Sequence, residues 1–567
     1  MQEETNRRDL TIMRRTVLVG AVAALIAASV SGCHANSKSA GPPQPKAKTG
    51  GELDVLSPSP TINLDPAKSQ NLATSTIHLV LRSLTTWQES ATEAPTVVPD
   101  LATDTGRVSN GGKTWTYTLK PGLKYADGSP IVAADIKYGV ERSFAPQLSG
   151  GLAYHKTLLV GGDKYQGPFD GKELDSIQTP DDHTIVFQLN QSSGDWPWIV
   201  SMPAFAPVPK KDENIQHYGD NPMASGPYQV ASLKQGSTLV LKRNPNWNRS
   251  TDPVRTAQPD TIVYTMGLDP TVINQRLIAD QGKDRNAVSS ANVPASLLPK
   301  VLGNQSVEQR LATSPSGALS YLAINVTRPP LNNLQVRQAL EYAVNKKAVQ
   351  VAAGGAKIGG DLASTLITPG IPGYQSYNLY QADPTGDLAK AKSLLSQSGH
   401  ATGISLVLLT QNDSIHLSEA QAVQSGLTAA GINVRLKPED SDSFYADTGA
   451  TKANYDLAML GWLPDYPSAT GNIEPLFDSS QIGNGNFNSS HYSNPAVDKL
   501  IAQASAETDQ AAAQALWAQA DRTIMADAPV VPLLYARNAF LRGSNVANFF
   551  APPYPPYADM LVVGLAG

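Results

Sequence analysis

Cysteine is almost absent from this chain: of 567 residues only Cys33 carries a thiol. No intrachain disulfide can staple the fold, and a cysteine-rich metal centre is excluded. Charge is also sparse, at 16% of residues, and the formal balance of −5 is modest. No lysine- or arginine-rich block stands out, so a nucleic-acid partner finds no electrostatic footprint. Beyond residue 30 no apolar run approaches the length of a bilayer span. None of the eight histidines sits in H-E-x-x-H spacing, and no G-x-S-x-G elbow occurs. Residues 106–114 look like a phosphate loop with one residue too many. They also precede a strand, whereas a phosphate loop must open a helix whose N-terminus faces the anion. Glu439, Asp440 and Asp442 cluster without the glycine and terminal glutamate of an EF-hand, which fits a solvated bend.

What is present begins at the N-terminus. Arg7, Arg8, Arg14 and Arg15 precede an apolar run over residues 17–30. That run is too short to span a bilayer and is followed by small residues, so it reads as a secretory h-region. Val30-Ser31-Gly32-Cys33 resembles the lipobox that a lipoprotein signal peptidase cuts just before its cysteine. The resemblance implies residues 1–32 as signal peptide and Cys33 as the lipidated residue, with two acyl chains giving stable anchoring. Arg14-Arg15-Thr16-Val17-Leu18 is also similar to a twin-arginine export signal. Residues 33–49 hold almost nothing to bury and read as a flexible tether. As a coil they would hold the body on the order of 20–25 Å from the lipid.

The remainder is too long for one compact core and alternates strand-like with helix-like segments. Thr114 to Lys120 alternates apolar and polar residues, and the preceding Asn110-Gly111 suits a tight turn. Further strands are expected over 184–189, 238–242, 261–266 and 321–326. A helix over 334–351 would place Val336, Leu340, Val344 and Ala348 on one stripe. Another would run from Asp383-Pro384 through Leu395 to Gly399. The clearest α/β unit is a strand over 404–410, a helix over 418–430 closed by Gly431, and a strand over 432–437. Such a crossover makes its two strands parallel. A strand over 455–462 follows and leads into Asp465, a position beyond a strand end where open α/β sheets tend to bind ligands.

Six short segments stand out in order along the chain. They are Gly50-Gly51-Glu52-Leu53 with Leu64-Asp65-Pro66, then Val98-Pro99-Asp100-Leu101-Ala102, then 120–130 with its Asp127-Gly128 turn and Ala134-Asp135-Ile136. Ser225-Gly226-Pro227-Tyr228, Arg243-Asn244-Pro245-Asn246-Trp247, and Ile324-Asn325 with Val336-Arg337-Gln338-Ala339-Leu340 complete the set. In this order they resemble family 5 of the solute-binding proteins of ABC importers, the peptide- and nickel-binding group, and the resemblance implies a type II periplasmic-binding-protein-like α/β fold, two hinged lobes with an extra inserted one. Lobe I would combine 50–93, 220–318 and 528–567, lobe II would span 94–219, and lobe III 319–527. It also implies no catalysis, no cofactor and no metal. The partners would be a short peptide, an ABC permease with its ATPase subunits, and the membrane through the anchor, with the protein a monomer.

A free α-ammonium buried in a closed cleft needs an anionic partner. In the peptide-binding branch an aspartate in a G-W-x-x-D-Y segment supplies it, and Gly461-Trp462-Leu463-Pro464-Asp465-Tyr466 matches that segment. The chain departs from many members in continuing Pro467-Ser468-Ala469. The candidate ligand contacts are therefore Asp465, Trp462, Tyr466 and Tyr535. Asp465 read without the family is a solvated loop carboxylate or a helix cap, and Trp462 and Tyr535 are core packing. Arg435, Arg537 and Arg542 are the cations available for a ligand carboxylate, with none singled out. A nickel chelate or an oligosaccharide on the same fold, and a membrane-tethered hydrolase, are the competing readings.

Overall fold

A computed structural model describes residues 46–70, 75–315 and 317–567. Cys33, the signal segment and most of the tether lie outside the described residues.

Three sheets organise the chain. A five-stranded mixed sheet runs in the order Ala287–Ser289, Glu52–Leu56, Thr261–Thr265, Thr238–Arg243, Tyr228–Lys234. Glu52–Leu56 is parallel to both of its neighbours, and the other pairings are antiparallel. Its core also takes Phe540, Val546, Phe549 and Leu565 from the end of the chain, so distant stretches share one interior. A four-stranded antiparallel sheet, Arg107–Ser109, Thr114–Thr118, Thr184–Gln188 and Ile177–Asp181, packs with the helix Ala133–Arg142. Asn110 and Gly111 both have positive φ between its first two strands, as the hairpin turn requires. Residues 106–114 thus form strand, turn and strand.

The third sheet has six strands: Asp361–Leu362, Val530–Tyr535, Leu319–Ile324, Leu457–Trp462, Ile404–Gln411 and Ile432–Glu439. Ile404–Gln411 and Ile432–Glu439 are parallel from Ile404↔Ile432 onward, with the helix Ser414–Ala429 crossing between them. Gly431, at φ +93°, turns the chain after that helix. One face of the sheet is covered by the helices, with Leu322, Leu408, Leu457 and Val531 in the shared core. The other carries Leu319, Tyr321 and Tyr535 into a second core that includes Trp196, Phe205 and Trp517. The chain passes between the five- and six-stranded sheets twice. There the two connections lie side by side, Ser314 N donating to Asn538 O and Ala536 N to Ala318 O.

Three helices differ from the sequence pattern. The stripe over 334–351 is split into Leu334–Ala343 and Lys346–Ala352, because Val344 is extended and Asn345 caps the second piece by accepting from Ala348 N. Periodicity alone cannot see a side chain that restarts the helix. The helix expected from Asp383-Pro384 starts instead at Leu388, capped by Asp387, while Asp383 accepts from Thr385 N and closes a separate turn. The crossover helix also begins a turn early, where Asp413 accepts from Ile415 N and His416 N.

Several matched segments are committed to structure. Asp100 sits between Arg82 (2.8 Å) and Arg255 (2.9 Å), and Asp252 completes the cluster at 3.2 Å from Arg255. All four side chains are shut away from solvent. Burial pushes the Asp252 carboxyl up, but Arg255, Arg82 and two backbone N–H groups bring it down to about 2. Asn244 donates to Gly226 O, Trp247 to Asp252, and Asn246 to Ala126 O beside the Asp127-Gly128 turn. Asp65 receives a two-pronged bond from Arg142. Asp440 is the N-cap of Ser441–Thr448, accepting from Ser443 N. These residues fix the fold.

Candidate functional site

The strand Leu457–Trp462 ends against Leu319, which pairs with Trp462 on one side and Tyr535 on the other. Directly opposed residues point to the same face of a sheet, so Trp462 and Tyr535 flank one row. Beyond Trp462 the chain leaves the sheet as Leu463-Pro464-Asp465-Tyr466-Pro467, and the helix Ala469–Phe477 begins. Ser468 caps that helix by accepting from Thr470 N, and its hydroxyl also donates to Asp195 at 2.9 Å. The Pro467-Ser468-Ala469 departure thus has a definite geometry: the turn is tied to Asp195, a carboxylate from the four-stranded-sheet region.

Asp465 is half-buried, and its Oδ2 receives the Tyr154 hydroxyl at 2.7 Å. Burial and the neighbouring Asp465 charge both push the Tyr154 hydroxyl well up, so it stays protonated and donates. Among the described residues Oδ1 receives no hydrogen bond, and no lysine or arginine pairs with Asp465. The cap of the following helix is Ser468, so Asp465 is not a helix cap. Tyr466 is buried edge-on against Tyr154, with ring centroids 5.3 Å apart at 89°. Tyr554 donates its hydroxyl to Pro464 O and is buried beneath the loop. A carboxylate held by a tyrosine, with one open oxygen and no countercharge, is an acceptor for an incoming cation.

Trp462 is half-buried; its indole N–H donates to Gly471 O at 2.7 Å, and its ring tilts over Phe487 with centroids 4.9 Å apart. These two contacts fix its ring at the strand end, three residues before Asp465 in the chain. Tyr535 is 3% exposed, and its hydroxyl meets Ser364 N, Thr365 N and Thr365 Oγ1. Asp465, Tyr466 and Trp462 come together at the strand end, whereas Tyr535 lies inside the core and anchors the 363–380 segment. None of the three arginines approaches Asp465. Arg435 is exposed on the last strand of the sheet. Arg537 donates to Asp361, Pro315 O and Ala356 O, and Arg542 is buried against Val546 O.

Sequence reasoning missed Tyr154, Asp195 and Tyr554. Tyr154 lies 311 residues from its partner and sits in no motif. For Tyr554 a signal exists in the run Pro552-Pro553-Tyr554-Pro555-Pro556-Tyr557, an unusual density of proline and tyrosine. Among the described residues no group of three or more His, Cys, Asp or Glu side chains gathers as a metal site, and no helix is long and apolar enough to cross a membrane.

Comparison with known proteins agrees with this architecture. The family model described as bacterial extracellular solute-binding proteins, family 5 Middle, matches residues 96–484. The glutathione-binding protein GsiB of Salmonella typhi is 27% identical over 455 residues, 79% of this chain and 82% of its own. The dipeptide-binding protein DppE of Bacillus subtilis is 23% identical over 547 residues, 93% of this chain and 94% of its own. Among solved structures, clavulanic acid biosynthesis oligopeptide binding protein 2 aligns with a TM-score of 0.83 at 33% identity. That match covers 92% of this chain and 97% of that one.

Proposed function

The chain belongs to the bacterial extracellular solute-binding proteins of family 5, and from that premise we propose that it is a lipid-anchored receptor that captures short peptides and hands them to an ABC permease. The family is one of binding proteins, and the chain is not an enzyme. The observation that carries the peptide reading is the unpaired Asp465 carboxylate, oriented by Tyr154 at the strand end that also holds Trp462 and Tyr466. A peptide ammonium would pair with it, since a half-buried carboxylate with no countercharge among the described residues gains from a cation that brings its own hydrogen bonds. Strand-like hydrogen bonding along the exposed Gly461 backbone would hold the peptide without regard to its side chains. The names of a dipeptide-binding and an oligopeptide-binding relative support the same solute class. Closure would bring lobe I (50–93, 220–318, 528–567) and lobe II (94–219) against lobe III (319–527). The paired connections near 314–318 and 536–538 are suited to act as the hinge.

The test is retention. Purified protein mixed with di- to pentapeptides, passed through a desalting column and examined by native mass spectrometry, is expected to carry intact peptides. Shortened products would favour a hydrolase, and an empty protein would overturn the reading.

The anchor has its own test. Cys33→Ala is expected to move the protein from the membrane fraction to the soluble one, or to leave its precursor uncut. Normal processing with normal membrane retention would remove the lipoprotein reading.

A further inference from the structure

A cavity of about 290 Å³ lies on the helix-covered side of the same strand end. Its size is just below the range of whole small-molecule pockets, which suits one long side chain better than a complete ligand. The apolar wall is built from both sheet regions: Val293 and Leu298 from one, Ile358 and Met459 from the other. Gly461 also lines it, and a Cβ there would meet only Leu319 O, at 4.0 Å. The backbone beside the cavity is thus bare.

Three ionisable groups face this space: Glu419, His416 and Arg537. Arg537 is already used, because its three guanidinium nitrogens donate to Asp361, Pro315 O and Ala356 O. His416 is used too, its Nδ1 lying 2.5 Å from Asp413 Oδ2. Glu419 differs. Among the described residues it makes no hydrogen bond or ion pair, and burial pushes its carboxyl up to about 7 against a small opposing pull from His416. With Asp361 paired to Arg537 and Asp413 to His416, Glu419 is the carboxyl lining the cavity that has no partner among the described residues.

We propose that this cavity receives a cationic side chain of the bound peptide, of the lysine or arginine type, whose charged head pairs with Glu419 while its methylene stem lies against Leu298, Ile358 and Met459. The stem-and-head division is how such side chains are ordinarily buried. The inference rests on the peptide reading of Asp465 and adds a selectivity to it. Gly461 and Asp465 are four positions apart, at most about 13 Å of extended chain. A peptide held at Asp465 by its ammonium and laid along this segment therefore brings one of its third to fifth residues to the cavity.

Calorimetry with alanine pentapeptides carrying one lysine or one norleucine at position 3, 4 or 5 tests this. At one position the wild type should prefer lysine by roughly tenfold or more, the scale of a hydrogen bond to a charged group. Glu419→Gln should abolish that preference and leave the norleucine peptide within about twofold, which also reports that the site is folded. Glu419→Lys should turn the preference toward a glutamate peptide. The inference is overturned if lysine is favoured at no position, if the preference survives Glu419→Gln, or if the wild type binds the glutamate peptide best. Binding without lysine preference removes this inference alone. Failure of every peptide to bind the wild type removes the peptide reading, and this inference with it.

Discussion

Asp465→Asn is expected to weaken the binding of a short peptide by about 2–5 kcal/mol, the range for removing one member of a buried charged pair. In affinity that is about 30-fold to several thousand-fold. The substitution keeps the size of the side chain and leaves an oxygen for the Tyr154 hydroxyl, so the loop from Pro464 to Ser468 should hold its shape. What disappears is the charge opposite the ligand ammonium. An N-acetylated peptide makes the same deletion from the other side and should lose a similar amount with the wild-type protein. The double combination should then cost little more than either change alone, since each removes the same interaction. Calorimetry on the four pairings decides it. If Asp465→Asn and acetylation each leave the affinity unchanged, Asp465 does not bind the peptide terminus.

The second large effect concerns stability. Asp100→Ala should destabilise the protein by about 3–5 kcal/mol, because it leaves the Arg82 and Arg255 guanidinium groups buried with a single carboxylate, Asp252, between them. Asp252 remains, but it lies 3.6 Å from Arg82 and cannot replace the bonds that Asp100 makes to both arginines. Lys120 lies against the cluster, but its ammonium donates to the backbone carbonyls Asp100 O and Thr251 O, which the substitution leaves in place. The midpoint of urea unfolding should fall with an unchanged slope. A midpoint equal to that of the wild type would show the cluster to be dispensable. The same cluster shapes the acid limb. Asp252 sits at about 2 in the folded protein against an ordinary 3.8, so its contribution is complete above about pH 4 and is lost as the pH falls toward 2.

Much of the architecture could be read from the chain because it is encoded locally. The parallel pair Ile404–Gln411 and Ile432–Glu439 follows from two apolar runs, an amphipathic helix and Gly431, all within some 35 residues. The hairpin at Asn110-Gly111 follows from two residues that tolerate positive φ. Boundaries were harder wherever a single polar side chain overrode the periodicity. Asn345 and Asp387 each capped a helix inside a stretch whose apolar spacing suggested continuity or an earlier start. Asp100 and Trp247 stood out as motif residues, yet nothing in their neighbourhoods announced that both belong to one buried cluster around Asp252.

The candidate site divides in the same way. Position beyond a strand end and the G-W-x-x-D-Y pattern were enough to single out Asp465, and the pattern placed Trp462 and Tyr466 beside it. Only the tertiary structure brought Tyr154 to its Oδ2, tied Ser468 to Asp195, drew Tyr535 into the core and left Glu419 at a shared cavity with no partner among the described residues. The reason is physical. Helix caps, turns and strand periods arise between residues a few positions apart, so the residue order contains them directly. A countercharge or its absence depends on which segments, often hundreds of residues distant, the packing of three sheets finally sets side by side.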